Sequence, residues 1–577
     1  MDADSVQAWK TQALLPAIRP DGQPPPDEAH LPAGGLALLS ADTDRTQQFV
    51  FQSARLPEIR GASMRLDALN RDDLPNILAA HGLPPNPIMH AQDPGCVIYC
   101  GGGSLLALVP RDLAPTLIEE IEALYPRRTD MATITAVALP ITIAQARGVL
   151  ELAPPPTGLT SAAQQRLAAG ARQTAVQQMM AQQALALRYR KQAKASVPHV
   201  ETDPHARQCQ SCGRRPAADI QAGIPGEPPR YLCQVCSANG KAGRDKKSWW
   251  NEQFVAWAEE NHQVRLTAPQ ANDLHEIGEV AKGYIGYIYA DGNSIGKRLE
   301  QANSLQEYSQ LSQKLGQAAE TAVYAALYQN LIQTRTNDVL PFEIITIGGD
   351  DVLLIVPAHA ALAIAQDICA DFGAQMANLA LADQPAPSMS AGVVIAQDSN
   401  PIYFIHDLAR QLLKNAKKSA RQPGAHLDFM VLKSHSTLAT NLGDVRRSPY
   451  LRVEHEFTHE RCLLTARPYA LADLDRLLRH AVALKKVSFA PGQLHQMRRE
   501  FQNGRFPAIF FYLYQRTRLS PEQARTLRQI EADWGMVESH DQGGAPPWIA
   551  LPEPAADGYQ EFVTPWLDML DLGDFVA

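Results

Sequence analysis

The chain has 577 residues, 45% of them apolar and 20% charged, with a formal net charge of −8. That length exceeds what one core can organise and implies roughly three to five domains. The apolar content excludes a disordered or fibrous chain. The net charge excludes a globally basic nucleic-acid binder, although a basic groove could exist locally. The start, MDADSVQAWK, is acidic and polar, unlike a signal peptide. The longest nearly apolar run, VLLIVPAHAALAIA, is too short for a membrane span and carries Pro357 and His359. The expectation is a cytoplasmic protein without membrane contact. Eight cysteines do not make a disulfide scaffold at this length, and four of them cluster, which points to a metal.

In chain order, residues 1–34 are rich in proline and read as a loose arm. LALLSAD reads as a buried strand, and the stretch from Thr46 to Asn70 as helical at first. CVIYCGGGSLLALVP reads as two strands joined by glycines. A helix, APTLIEEIEALYP, and a β-rich stretch, MATITAVALPI, follow. The triple proline at 154–156 is a boundary, and residues 161–193 carry a helical pattern. The cysteine cluster occupies 209–236. A second α/β segment opens at GYIGYIYADGNSIGKRL. It continues with a helix over about 304–333, the hairpin PFEIITIGGDDVLLIVP, another helix, the strand SMSAGVVIA, a helix through LARQLLKNAKKSA, and HLDFMVL. From about residue 465 the pattern is helical, and SPEQ marks one helix start with Ser520 as cap and Gln523 at the third position.

Two hairpins repeat. GGGSLLALVP at 101–110 matches GGDDVLLIVP at 348–357, and LLSAD, ending at Asp42, matches YIYAD, ending at Asp291. From Asp42 to Gly101 is 59 residues, and from Asp291 to Gly348 is 57. The spacing implies a duplicated α/β domain. The copies differ at the tip, where Gly103 and Ser104 stand opposite Asp350 and Asp351. A charged tip in one copy implies one working site and one structural partner.

Adjacent carboxylates repel and raise each other's pKa, a cost that a divalent cation removes. Mg²⁺ takes one or two carboxylates together with substrate phosphates, and Mn²⁺ could stand in its place. If the strand ending in Asp291 lies beside the hairpin, Asp291, Asp350 and Asp351 converge. Such a set could hold two ions about 3.5–4 Å apart for in-line phosphoryl transfer, one activating an attacking 3′-hydroxyl and one neutralising the leaving pyrophosphate. Gly348 and Gly349 suit a tight turn that a nucleotide can approach. Gly292, Asn293 and Ser294 could offer amides to phosphates. Lys417 is the preferred triphosphate clamp, ahead of Lys414 and Lys418. The plain alternatives are an ordinary Gly-Asp turn and a solvated lysine face.

Cys209, Cys212, Cys233 and Cys236 form C-x2-C-x20-C-x2-C, the spacing of a closed structural Zn²⁺ site. Cys96, Cys100, Cys369 and Cys462 sit in apolar surroundings and read as core residues.

GGDD, the upstream ADGNSIGK, a preceding degenerate copy and the four-cysteine module together resemble the large subunit of type III CRISPR effector complexes, of the Cmr-like kind. FVFQSARLPEIRGAS at 49–63 is similar to that family's first palm. The resemblance covers roughly residues 35–440. It implies an α+β architecture: a proline-rich arm at 1–34, a degenerate ferredoxin-like palm at 35–153, and a helical linker at 154–280 with the zinc module. A catalytic palm at 281–445 and a helical domain at 446–577 complete it. The activity implied is synthesis of cyclic oligoadenylates from ATP when guide RNA pairs with target RNA inside the complex, whose other subunits are partners. By the resemblance Asp350 and Asp351 are metal ligands, with Asp291 on the matching strand. About 35 residues precede the first palm, and the pairs His406-Asp407 and His540-Asp541 lie in the wrong places for the HD nuclease of many members. The expectation is therefore an enzyme without it. Local basic runs, RYRK, GRDKKSWW and those of the C-terminal helices, could track a phosphate backbone. A stand-alone GGDEF-like cyclase and a non-catalytic scaffold are the competing readings.

Overall fold

A computed structural model describes residues 2–18, 30–90, 93–148, 174–194, 205–221, 228–245, 249–333, 339–379, 385–418, 424–433, 441–447, 451–456, 458–487, 489, 491–536 and 546–576. The triple proline, the first part of the 161–193 helical pattern, part of GRDKKSWW and His540-Asp541 lie outside them. The chain divides into two compact units. One comprises residues 1–254, 294–320 and 345–351, and the other 255–293, 321–344 and 352–577.

The first unit opens with a correction. The residues expected as a loose arm form helices at Ala3–Trp9 and Leu15–Ile18, joined by a π-helical turn. Asp2 caps the first, accepting from the Ser5 amide at 2.8 Å. Trp9 is fully buried and donates its indole N–H to the Gly35 carbonyl at 3.1 Å. The prolines that suggested an arm stand mainly at 20–26, and they hid the apolar spacing of Val6, Trp9, Ala13 and Ala17.

The first sheet has strands β1 (Leu36–Asp44), β2 (Val97–Gly101), β3 (Ser104–Pro110) and β4 (Thr133–Ile141), in the order β2-β3-β1-β4. Helices between β1 and β2 and the helix Ala114–Thr129 between β3 and β4 complete a β-α-β-β-α-β ferredoxin-like unit. β1 runs antiparallel to both neighbours, with Asp42 opposite Ser104 on one side and Thr135 on the other. The described part of the 161–193 pattern is the helix Ala175–Ala193, capped reciprocally by Thr174 and Gln177. The small ribbon β5 (Asp219–Gln221) and β6 (Arg230–Leu232) leads into the helix Gln234–Asp245.

The second sheet repeats the plan. Its strands are β7 (Tyr284–Gly292), β8 (Glu343–Gly348), β9 (Asp351–Pro357), β10 (Met389–Gln397), β11 (His426–Val431) and later β14 (Tyr469–Ala470). Their order is β14-β11-β10-β7-β9-β8, so β8-β9-β7-β10 matches β2-β3-β1-β4 strand for strand. The helix Ile402–Lys417 crosses over to bring β11 parallel to β10. Its buried face repeats at helical spacing: Ile402, Ile405, Leu408, Ala409, Leu412 and Ala416.

Beyond residue 465 the expected helices are present: Leu471–Lys486, Pro491–Gln502, Arg505–Arg516 and Pro521–Asp533. The Ser520–Gln523 capping box forms as the sequence implies. They are accompanied by a four-stranded sheet that the helical expectation missed. It consists of β12 (Arg452–His455), β13 (Glu460–Leu463), β15 (Ile549–Ala550) and β16 (Gln560–Val563), in the order β12-β13-β16-β15. These strands span two to four residues, and Cys462 pairs with Phe562 far along the chain. No run is long enough to display alternation.

Candidate active site and metal centre

The turn between β8 and β9 is built from Gly349 and Asp350. Gly349 has φ +73°, which an L side chain rarely adopts. A Cβ at Gly348 would lie 3.1 Å from Cα of Gly102, so the two hairpin tips abut glycine to glycine. Tyr99, on β2, covers the turn; its hydroxyl would stand 3.3 Å from a Cβ at Gly349. Its phenol is pushed well above the ordinary value, first by burial, then by Tyr308 and Asp350, with Cys100 and Asp351 adding to it. The field of the two aspartates is therefore felt at this ring. A cavity of about 350 Å³ adjoins the turn, lined among others by Pro87, Tyr99, Gly102, Ser312, Gln313 and Gly349.

Asp291 stands near the end of β7. The β7–β9 ladder ends at Ala290 opposite Val352, so Asp291 and Asp351 are the next residues out on their strands. The Asp291 carboxylate accepts from Lys417 Nζ, which also donates to the Gly292 carbonyl at 2.8 Å. Lys417, expected to clamp a triphosphate, thus neutralises a carboxylate here. Its helix is anchored two residues earlier. Asn415 donates to the fully buried Asp428 on β11 at 2.8 Å, and Arg446 pairs with the other carboxylate oxygen. Lys414 and Lys418 are exposed.

The loop after β7 is more committed than expected. The Asn293 amide, proposed for phosphate, donates to the Ser388 carbonyl at 2.7 Å. The Asn293 side-chain amide donates to Ser388 Oγ at 2.9 Å, while its Oδ1 is buried without a partner among the described residues. Ser294 adopts φ 59° and starts the short helix Ile295–Leu299. Among the described residues, the four cysteines are the group whose ligand atoms all lie within 4.8 Å of one another.

Those cysteines come together from two knuckles, one before β5 and one where the helix Gln234–Asp245 begins. Cys212 and Cys233 sulfurs are 3.9 Å apart. A tetrahedral Zn²⁺ with Zn–S near 2.3 Å requires S···S of about 3.8 Å, so the cage has the right size. Hydrogen bonds from Cys209, Cys233 and Cys236 drive the Cys212 thiol well down, and the same mutual bonding drives Cys236 well up. A cluster that cannot keep four protons comfortably suits a dication. The remaining thiols behave as core residues: Cys96, Cys369 and Cys462 are buried, and half-buried Cys100 donates to the Asn70 carbonyl at 3.0 Å.

Sequence reasoning missed Tyr99 and Lys191. Aligning the two hairpins places Tyr99 two residues before the first glycine, a signal that was there. Lys191 stands in the basic run RYRK, but nothing local ties it to Asp42, because that pairing depends on which strand end its helix reaches.

The fold and site define a class: a duplicated palm of ferredoxin-like topology with a four-thiolate module. Residues 284–424 match the family described as Cas10/Cmr2, second palm domain. The CRISPR system Cmr subunit Cmr2 of Pyrococcus furiosus is 40% identical over 72 residues, which is 12% of this chain and 8% of that protein. The match thus spans less than a tenth of the curated relative's length. A chain of a Csm1–Csm4 cassette solved with cA4 superposes with TM-score 0.55 at 13% identity, over 94% of this chain and 70% of that one. A cassette solved with one ATP gives TM-score 0.55 at 14% identity, over 98% and 72%. Residues 284–424 are thus similar to the second palm domain of Cas10/Cmr2, and the chain as a whole is similar in fold to a chain of the Csm1–Csm4 cassettes. No helix among the described residues is long and apolar enough to cross a membrane.

Proposed function

We propose that this protein joins ATP molecules into cyclic oligoadenylates at the Asp350–Asp351 turn, as part of a type III CRISPR ribonucleoprotein and in response to target RNA paired with guide RNA. One observation carries the proposal. Of two palms with the same strand order, the second alone has two aspartates on a glycine turn, and that turn adjoins a cavity of about 350 Å³. The relatives solved with cA4 and with ATP support the choice of substrate and product.

In the reaction, a 3′-hydroxyl bonds to the α-phosphorus of a second ATP and the bond to pyrophosphate breaks. Asp350, Asp351 and Asp291 would hold Mg²⁺ or Mn²⁺, which supplies charge neutralisation of the polyphosphate and acidifies the hydroxyl. Gly348 and Gly349 leave the turn bare so that a nucleotide can lie against it. Lys417 gives up Asp291 on ATP binding and takes a phosphate oxygen instead, so its ammonium is never without a counter-charge. Tyr99 and the cavity wall shelter the ring end of the nucleotide from water. Cys209, Cys212, Cys233 and Cys236 would hold Zn²⁺ as a structural ion.

Mass spectrometry of products from the assembled complex, given ATP and Mg²⁺ with and without complementary RNA, tests the proposal. Cyclic oligoadenylates that depend on target RNA are expected. A different cyclic nucleotide formed without RNA indicates a stand-alone cyclase, and no ATP turnover in any assembly indicates a scaffold.

A further inference from the structure

The zinc module touches more than its own ribbon. The helix Gln234–Asp245, which begins beside Cys233, packs against the helix Leu56–Ala68 at glycines on both sides. A Cβ at Gly61 would lie 1.8 Å from the Asn239 carbonyl oxygen, and one at Gly243 would lie 1.9 Å from the Pro57 carbonyl oxygen. Contact this close tolerates no sliding. Polar bonds fix it further. Arg65 donates to Asn239 Oδ1 at 2.6 Å, and Arg60 to the Gly243 carbonyl at 3.3 Å. Glu58, 1% exposed, is paired with Arg230 of β6 at 3.0 Å and accepts from Ser211, a residue between the first two cysteines. One turn further along the same helix, Ser63 donates to the Ile345 carbonyl at 2.5 Å. Ile345 lies on β8, three residues before Gly348, and β8 is the edge of its sheet, where outward carbonyls have no neighbouring strand.

We infer that the four-cysteine module positions the Asp350–Asp351 turn, acting through the helix Leu56–Ala68 and the Ser63–Ile345 hydrogen bond. Ser63 is a positioning residue: it touches no reacting atom but holds the strand that delivers the turn. Zinc occupancy sets the pose of the helix Gln234–Asp245, the glycine contact passes that pose to the Leu56–Ala68 helix, and Ser63 passes it to β8. The functional consequence rests on the proposed cyclase reading; the mechanical coupling does not.

The test is hydrogen exchange on the full chain, read at peptides covering 56–68, 234–245 and 343–348, before and after zinc removal by a chelator. Wild type is expected to exchange roughly tenfold faster in all three after chelation, the scale of one lost hydrogen bond. Ser63→Ala is expected to exchange faster at 343–348 with zinc present and to gain little more there on chelation, while 56–68 and 234–245 still respond. Ser63→Thr, which keeps the donor, should behave as wild type. The inference is overturned if chelation loosens 234–245 and leaves 343–348 unchanged in wild type, or if Ser63→Ala exchanges there like wild type. Where ATP turnover is measurable, Ser63→Ala should lower kcat with KM for ATP unchanged. If no turnover is found in any assembly, the cyclase reading fails and the exchange result still decides the coupling.

Discussion

In the first palm, Asp42 at the end of β1 accepts from Ser104 at 2.8 Å and from Lys191 Nζ at 2.5 Å. In the second, Asp291 at the end of β7 accepts from Lys417. Both lysines come from the last turn of a helix that lies beyond the fourth strand of its palm, so the duplication preserves an ammonium on an acid as well as a strand order. The copies diverge around that pair. The first surrounds it with groups that consume its charge. Asp44 takes Thr133 at 2.8 Å, Thr135 at 2.9 Å and Lys194 at 3.2 Å, and Ser104 stands where the second palm has Asp351. The second adds Asp350 and Asp351 and provides one lysine at Asp291. Adjacent carboxylates at one turn raise each other's pKa, a cost that a divalent cation and its polyphosphate would lower. The first palm spends its carboxylates on threonines and lysines of its own strands and helix, whereas the second gathers two further acids at its turn.

The sharpest way to break this contrast is at the hairpin tips. Asp350→Ala with Asp351→Ala should reduce oligoadenylate output by at least about 100-fold, the scale of losing metal-centred charge stabilisation. Ser104→Ala at the matching position should leave it within about threefold. Chromatography of products over time checks both, and equal losses would end the distinction between working and structural palms.

Next in size is the anchor that the first palm lacks. Asp428→Ala leaves half-buried Arg446 without its carboxylate and Asn415 without its acceptor, a loss of about 2–3 kcal/mol. A denaturant midpoint shift measures it. The lysines follow. Lys417→Ala should cost about tenfold in kcat/KM for ATP, about 1.4 kcal/mol. Lys191→Ala should leave turnover unchanged and cost no more than about 1 kcal/mol of stability, because its pair with Asp42 is partly exposed.

The smallest effect is acid sensitivity of the first palm. Burial pushes the Asp44 carboxyl up, but hydrogen bonds from Thr133 and Thr135 and the Lys194 ammonium outweigh it and hold the group below its ordinary value. A depressed folded pKa gives stability that is present above the unfolded value and lost as pH falls through the folded one. Asp44→Asn should therefore flatten the decline in melting temperature below about pH 4, and leave the curve near neutrality with the same slope as wild type.

The sequence alone settled what local chemistry can settle. Two hairpins with nearly equal spacing from an upstream aspartate disclosed the duplication, because a β-hairpin writes its turn and its apolar strands into consecutive residues. Two C-x2-C knuckles disclosed the four-thiolate cluster for the same reason, and Ser520 with Gln523 disclosed a helix start. What remained hidden was every partnership made across the chain. Lys417 reads as a free clamp until the fold lays it on Asp291. The Asn293 amide reads as available until β10 brings Ser388 to it. Residues 3–18 read as an arm until Trp9 finds a core, and β13 gains its second partner only when β16 arrives from about a hundred residues away. Gly61 and Gly243 are unremarkable letters until two helices meet on them, and Ser63 gains its role only because β8 is an edge. A turn, a knuckle or a cap is fixed by neighbours in sequence, whereas charge pairing and close packing depend on neighbours in space, which only the assembled fold selects.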